Sequence, residues 1–118
     1  MFEAVRDAKA LAIGRIRAGV PGAELHQAVV DLFAERGYPT DASGFTHNLG
    51  HGVGLEVHEL PSLGPGAGAL EAGNVVTVEP GLYFQPDDLT VPPRFRGIGI
   101  RVEEDVLVTK TGHEVLSS

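Results

Sequence analysis

Between Phe2 and Ala18 apolar side chains recur at steps of three and four, at Val5, Ala8, Ala12 and Ile16, while Arg6, Lys9 and Arg17 stand off that stripe. This is the pattern of an amphipathic helix. Gly19-Val20-Pro21-Gly22 interrupts it. A cleaner stripe follows at Leu25, Ala28, Val29, Leu32 and Phe33, with Glu24 and Arg36 placed to suit the helix dipole and Gly37 to end the helix. Two helices separated by so short a break are expected to pack as a hairpin whose shared apolar face covers another layer.

After Tyr38-Pro39 the helical period disappears. Asn74 to Glu79 alternates instead: Val76 and Val78 face one side and Thr77 and Glu79 the other, before Pro80-Gly81 interrupts the strand. In Ile98 to Glu103 the apolar set Ile98, Ile100 and Val102 alternates with Gly99, Arg101 and Glu103. This second strand is expected to run on through Glu104 to Thr109, as far as a turn at Lys110-Thr111-Gly112-His113. Leu63 to Ala69 and Phe84 to Arg96 read as loops, and no internal repeat is visible. The class expected is α+β, with two N-terminal helices packed on a sheet.

At 118 residues the chain is one domain's worth, 1–118, enough for a single core. Asp+Glu 16 against Lys+Arg 9 leaves a formal charge of -7, which repels a phosphate backbone and argues against nucleic acid as a partner. With no cysteine there is neither a disulfide framework nor a thiolate metal site, so His and carboxylates remain as metal ligands. No apolar run approaches the roughly 20 residues of a membrane span, so no membrane is expected as a partner. Met1 to Asp7 is too charged for a signal peptide, and a cytoplasmic location is the expectation.

Chemistry concentrates between Thr46 and Pro61, which holds His47, His51 and His58, the glycines Gly50, Gly52 and Gly54, and two glutamates. Histidine is both a common metal ligand and a proton carrier near neutral pH, so a metal or acid/base site is indicated. His47 and His51 stand four apart, but the glycines argue against a helix and the Glu of a His-Glu-x-x-His motif is missing. Glycine at alternate positions suits an extended segment approached closely by backbone or substrate. One His in this segment and a Glu ending each of two strands, Glu79 and Glu103, make a His-Glu-Glu set suited to a divalent transition ion.

Three segments together resemble one family: His47-x-x-x-His51-Gly-x-Gly-Leu-x-Val-His58-Glu-x-Pro61, Val78-Glu79-Pro-Gly-Leu-Tyr83, and Gly99-Ile-Arg101-Val-Glu103-Glu-Asp-Val-Leu-Val-Thr109. They are similar to the signatures of the pita-bread metallopeptidases, family M24, in the branch of Xaa-Pro dipeptidases and Xaa-Pro aminopeptidases. The resemblance implies a partial pita-bread domain with a curved antiparallel sheet. It implies hydrolysis of Xaa-Pro bonds through a metal-activated hydroxide, with Xaa-Pro peptides as partners. His51, Glu79 and Glu103 match the metal ligands, and Glu79 also matches a glutamate of proton transfer. His47 and His58 match catalytic histidines that contact substrate, Arg101 a supporting arginine that also meets substrate, and Tyr83 a tyrosine of the pocket wall.

The family's two aspartate ligands have no match here. Asp7 and Asp31 lie in helical stretches, and Asp41 follows the helix end at Gly37 and Pro39. The chain therefore reads as the C-terminal part of the catalytic domain, truncated, with at most one weakly bound manganese, cobalt or zinc ion. Weak activity or none is expected of this chain alone. A lone half of such a domain leaves a sheet edge and an apolar face uncovered, so a homodimer is expected. The alternative is a non-catalytic half-domain serving binding or oligomerisation. A cupin-like barrel is disfavoured by the two helices and by the lack of a close His-x-His.

Overall fold

The apolar stripe of the first helix is buried at Ala4, Val5, Ala8 and Ala12, on one face of α1 (Phe2–Gly14). The computed structural model describes residues 1–40, 43–53 and 59–116. α1 stops at Gly14, short of Ala18. Arg15 and Ile16 instead close a tight turn by donating to the Ala12 and Ile13 carbonyls, both at 3.1 Å. Ile16 stays in the core because this turn carries it inward. Two residues on, the Ala18 N–H leaves the helical pattern and donates to the Thr109 carbonyl at 3.0 Å.

α2 (Gly22–Glu35) buries Leu25, Val29 and Phe33 and packs against α1. Its first residue must be glycine, because a Cβ there would lie 2.1 Å from the Ser62 carbonyl oxygen. The helix start is thus pressed directly onto the sheet. None of the described helices is long and apolar enough to cross a membrane.

Among the described residues seven short strands follow, paired antiparallel throughout. β1 (Gly50–Gly52), β2 (Glu59–Leu63), β3 (Val75–Val78), β6 (Glu104–Val108) and β7 (His113–Val115) form one sheet in the order β2-β1-β3-β6-β7. β4 (Gly81–Tyr83) and β5 (Gly99–Arg101) make a separate two-stranded ladder. Val76, Val78, Val106 and Val108 join the helix residues in one hydrophobic core.

The strand expected to run unbroken from Ile98 to Thr109 is in fact two. β5 pairs with β4, placing Gly81 opposite Arg101, whereas β6 pairs with β3, placing Val78 opposite Glu104. Pro80-Gly81 breaks the ladder after β3 and redirects the chain into β4, so the returning chain must change partners as well. It does so at Val102 and Glu103, with the Val102 N–H on the Pro80 carbonyl at 3.3 Å. The expected burial of the alternating set also fails at its first member, since Ile98 is 40% exposed.

The loop after β4 is closed on itself. Phe84 exchanges backbone bonds with Gly97 and Ile98, both at 3.0 Å, and its ring stacks on Phe95 at 6.1 Å. Arg96 reaches across the loop to the Asp88 and Val91 carbonyls, at 2.7 and 3.2 Å.

Candidate functional site

Sheet geometry, not sequence proximity, assembles the site. His51 is the middle residue of β1, Glu79 follows the last residue of β3, and Tyr83 and Arg101 end strands that pair with each other. Glu79 is buried, at 8% exposure, and its carboxylate is the hub. Oε2 accepts from the Thr77 hydroxyl at 2.7 Å and lies 3.1 Å from His51 Nε2. Oε1 accepts from an Arg101 guanidinium nitrogen at 3.2 Å. Burial pushes the Glu79 carboxyl up, but bonds from Thr77 and Arg101 and the nearby His51 outweigh it and hold the group below its ordinary value.

Arg101 also donates from Nε to the Tyr83 hydroxyl at 2.5 Å, and its guanidinium lies 5.3 Å from the centre of the Tyr83 ring. The Tyr83 bond and the Glu79 carboxylate raise the arginine's already high value, against the desolvation that opposes them. The fork of Arg101 therefore ties Tyr83 to the Glu79 carboxylate.

His47 also lines the cavity, with its ring 5.9 Å from that of Tyr83 and 5.0 Å from that of Phe45. Its Nδ1 donates to the Asn48 carbonyl at 2.7 Å, while the buried Nε2 meets no hydrogen-bond partner among the described residues. Burial lowers the basicity of this ring, with Arg101 adding to the effect. The cavity measures about 310 Å³ and is lined by His47, Asn48, Gly50, His51, Ser62, Glu79 and Arg101.

His51 and Glu79 bring together donor atoms of the kind a divalent ion takes. His51 Nδ1 donates to the Gly52 carbonyl at 2.9 Å, since a carbonyl only accepts, and this turns Nε2 towards the Glu79 carboxylate. The two atoms stand 3.1 Å apart, an ion pair when the ring carries both protons and two ligand atoms when a cation takes the place of the Nε2 proton. Two ligands each about 2.1 Å from one ion stand about 3.0–3.4 Å apart. The pair fits that requirement.

Glu103 does not complete the set as tightly. It is exposed, and burial together with Glu79 and Asp105 raises its carboxyl above the ordinary value, placing it within electrostatic reach of the hub. Among the described residues no three His, Asp or Glu side chains converge closely enough to hold an ion. His58 and Asp41 lie outside the described residues. Asp7 and Asp31 bond to Arg36 and Gln27 on the helices, both at 2.8 Å.

Two residues went unremarked as site residues in the sequence. Thr77 is buried, at 3% exposure, against both candidate ligands; its signal was there, since the strand alternation puts it on the face of Glu79. His26, on α2, left no such signal. Its Nδ1 accepts the Leu49 N–H at 3.2 Å, its ring lies 5.2 Å from Phe45, and burial and His47 lower its basicity.

The model of metallopeptidase family M24 matches residues 1–110. Xaa-Pro aminopeptidase 1 of Streptomyces coelicolor is 38% identical over 136 aligned positions, covering 100% of this chain and 28% of that protein. The prolidase of Pyrococcus horikoshii superposes with a TM-score of 0.82 at 35% identity, covering 99% of this chain and 30% of that one. Aminopeptidase P from E. coli, solved with the inhibitor Pro-Leu, gives a TM-score of 0.82 at 31% identity over 99% of this chain and 30% of its own. The chain thus spans under a third of the length of these relatives. The two helices on their antiparallel sheet are part of the pita-bread fold. On the family match and on likeness to these peptidases over the whole of this chain, the chain belongs to metallopeptidase family M24.

Proposed function

We propose that this chain forms part of a metal-dependent exopeptidase that hydrolyses Xaa-Pro peptides, of the proline dipeptidase or aminopeptidase P type. The observation that carries the reading is the meeting of His51 Nε2 and Glu79 Oε2 at 3.1 Å in a cavity, two groups able to ligate one cation. His51 and Glu79 would hold a divalent ion, with Glu103, the third ligand the motifs imply, within electrostatic reach, and manganese, cobalt or zinc suit this donor set. When bound, such an ion supplies a water of lowered pKa and polarises the scissile carbonyl.

The chain's own groups do the rest. Thr77 and Arg101 hold the Glu79 carboxylate ionised and oriented, ready to accept a proton. His47 presents its buried Nε2 to substrate while Nδ1 is anchored on Asn48. The rings of His47 and Tyr83, 5.9 Å apart, form an aromatic wall suited to a pyrrolidine ring. His58 is assigned to the substrate side by its place in the motif.

This chain's own candidate ligands would hold one ion weakly. A homodimer in the cytoplasm, its unit being residues 1–118, completes the reading. A second reading is a non-catalytic half-domain for binding or oligomerisation, which the exposed position of Glu103 favours.

Hydrolysis of Xaa-Pro dipeptides, with His51→Ala as control, separates the two. Metal content after dialysis, followed by calorimetric titration with manganese, cobalt and zinc, tests the ion count. Tight binding of two ions per chain would refute the single weak site. A compact monomer by sedimentation at high concentration would remove the dimer.

A further inference from the structure

The rung between His51 and Thr77 departs from a regular antiparallel ladder. β1 and β3 pair at Gly52↔Val76, a register that sets His51 across from Thr77. On either side the ladder is ordinary: the Val53 N–H reaches the Val75 carbonyl at 2.9 Å, and the Glu79 N–H reaches the Leu49 carbonyl at 2.7 Å. At the rung between, the His51 N–H donates to the Thr77 hydroxyl at 3.1 Å, where a regular ladder would use the Thr77 carbonyl. That carbonyl oxygen sits over Gly50 instead, 1.8 Å from where a Cβ would be.

The substitution has a chemical consequence. With a lone pair taken by the His51 amide, the hydroxyl turns its proton to Glu79 Oε2 at 2.7 Å. One buried hydroxyl therefore bonds the backbone of one candidate ligand and the side chain of the other. His51 N–H to Thr77 Oγ to Glu79 Oε2 is a directed chain, and it sets the 3.1 Å meeting of Oε2 with His51 Nε2. A hydroxyl buried this deeply needs partners wherever it lies, and here both of them belong to the candidate ligands.

We infer that Thr77 is a positioning residue for the cation site, fixing the His51 and Glu79 acceptors at the separation one divalent ion requires. The inference rests on the metal reading of that pair, and its test separates the two. Thr77→Val keeps the branched shape and removes the hydroxyl, while Thr77→Ser keeps the hydroxyl. Manganese affinity, measured by calorimetry on the whole chain, is expected to fall about 10–100-fold in Thr77→Val and to stay within about threefold of the parent in Thr77→Ser. A merely structural role would lower the melting temperature of both variants without this split in affinity.

If the parent takes up no manganese at millimolar concentration, the metal reading fails, and the positioning role is decided by crystal structures of the two variants. They are expected to show the His51–Glu79 contact opened beyond 4 Å in Thr77→Val and kept in Thr77→Ser. A Thr77→Val variant that keeps the contact, or binds manganese as tightly as the parent, overturns the inference.

Discussion

Replacing Gly50 by alanine puts a Cβ where β1 and β3 leave no room. The added carbon would lie 1.8 Å from the Thr77 carbonyl oxygen and 2.7 Å from its carbonyl carbon, and ordinary contact begins near 3.4 Å. Both opposing atoms are backbone, so no side-chain rotation relieves the clash and the strands must part. The bonds flanking Gly50, Glu79 N–H to Leu49 at 2.7 Å and His51 N–H to Thr77 Oγ at 3.1 Å, go with them. Each is worth about 0.5–1.5 kcal/mol net. Overpacking adds about 1–3 kcal/mol, so a loss of about 2–6 kcal/mol is expected. For a chain of this size that is a fall of roughly 8–24 °C in melting temperature. Gly68→Ala is the control: its Cβ would meet nothing within 4 Å, and it should shift stability by no more than about 0.5 kcal/mol. Thermal melts of the two variants beside the parent, followed by circular dichroism, make the comparison. A Gly50→Ala variant melting within about 3 °C of the parent would refute the close approach of the strands and the unusual rung built on it.

Phe45 is buried between Phe33, His26 and His47, with ring centroids 5.4, 5.2 and 5.0 Å away. Phe45→Ala is expected to cost about 3–5 kcal/mol by urea denaturation, and Phe45→Leu less than half of that. Lys9 ties α1 to the start of β6 through Glu104 at 3.1 Å, with side chains 26% and 15% exposed. Lys9→Met should cost about 1–2 kcal/mol, between an exposed and a buried pair, and an unchanged urea midpoint would remove the pair from the account. His26 and His47 are both held below the ordinary 6.5, chiefly by burial, so in mild acid the unfolded chain binds more protons than the folded one. Stability is expected to be full above about pH 6.5 and to be lost as pH falls through the folded values. His26→Leu should flatten that fall, because the Leu49 N–H keeps its 2.8 Å bond to the Leu63 carbonyl; urea midpoints between pH 5 and 8 with an unchanged slope would contradict it.

By itself the sequence determined the local elements and the family. The helical stripes at Val5, Ala8 and Ala12, and at Leu25, Val29 and Phe33, are buried as their spacing requires, because a helix face is set by period alone. The same holds for Val76 and Val78. The three motifs name the family because each keeps its chemistry within a few neighbouring residues.

Only the tertiary structure decided what depends on strand partners. Alternation tells which face a residue takes but not which strand lies beside it, so the break at Val102 and Glu103 between two ladders was not legible. Nor was the end of α1 at Gly14, since its last turn is settled by a bond to a strand end some ninety residues away, at Thr109. The meeting of Arg101 with both Glu79 and Tyr83 follows from the pairing of β4 with β5. The role of Thr77 follows from a register that sets its hydroxyl, and not its carbonyl, against the His51 amide. Period is a property of one segment, while a site made of several strands is a property of their pairing.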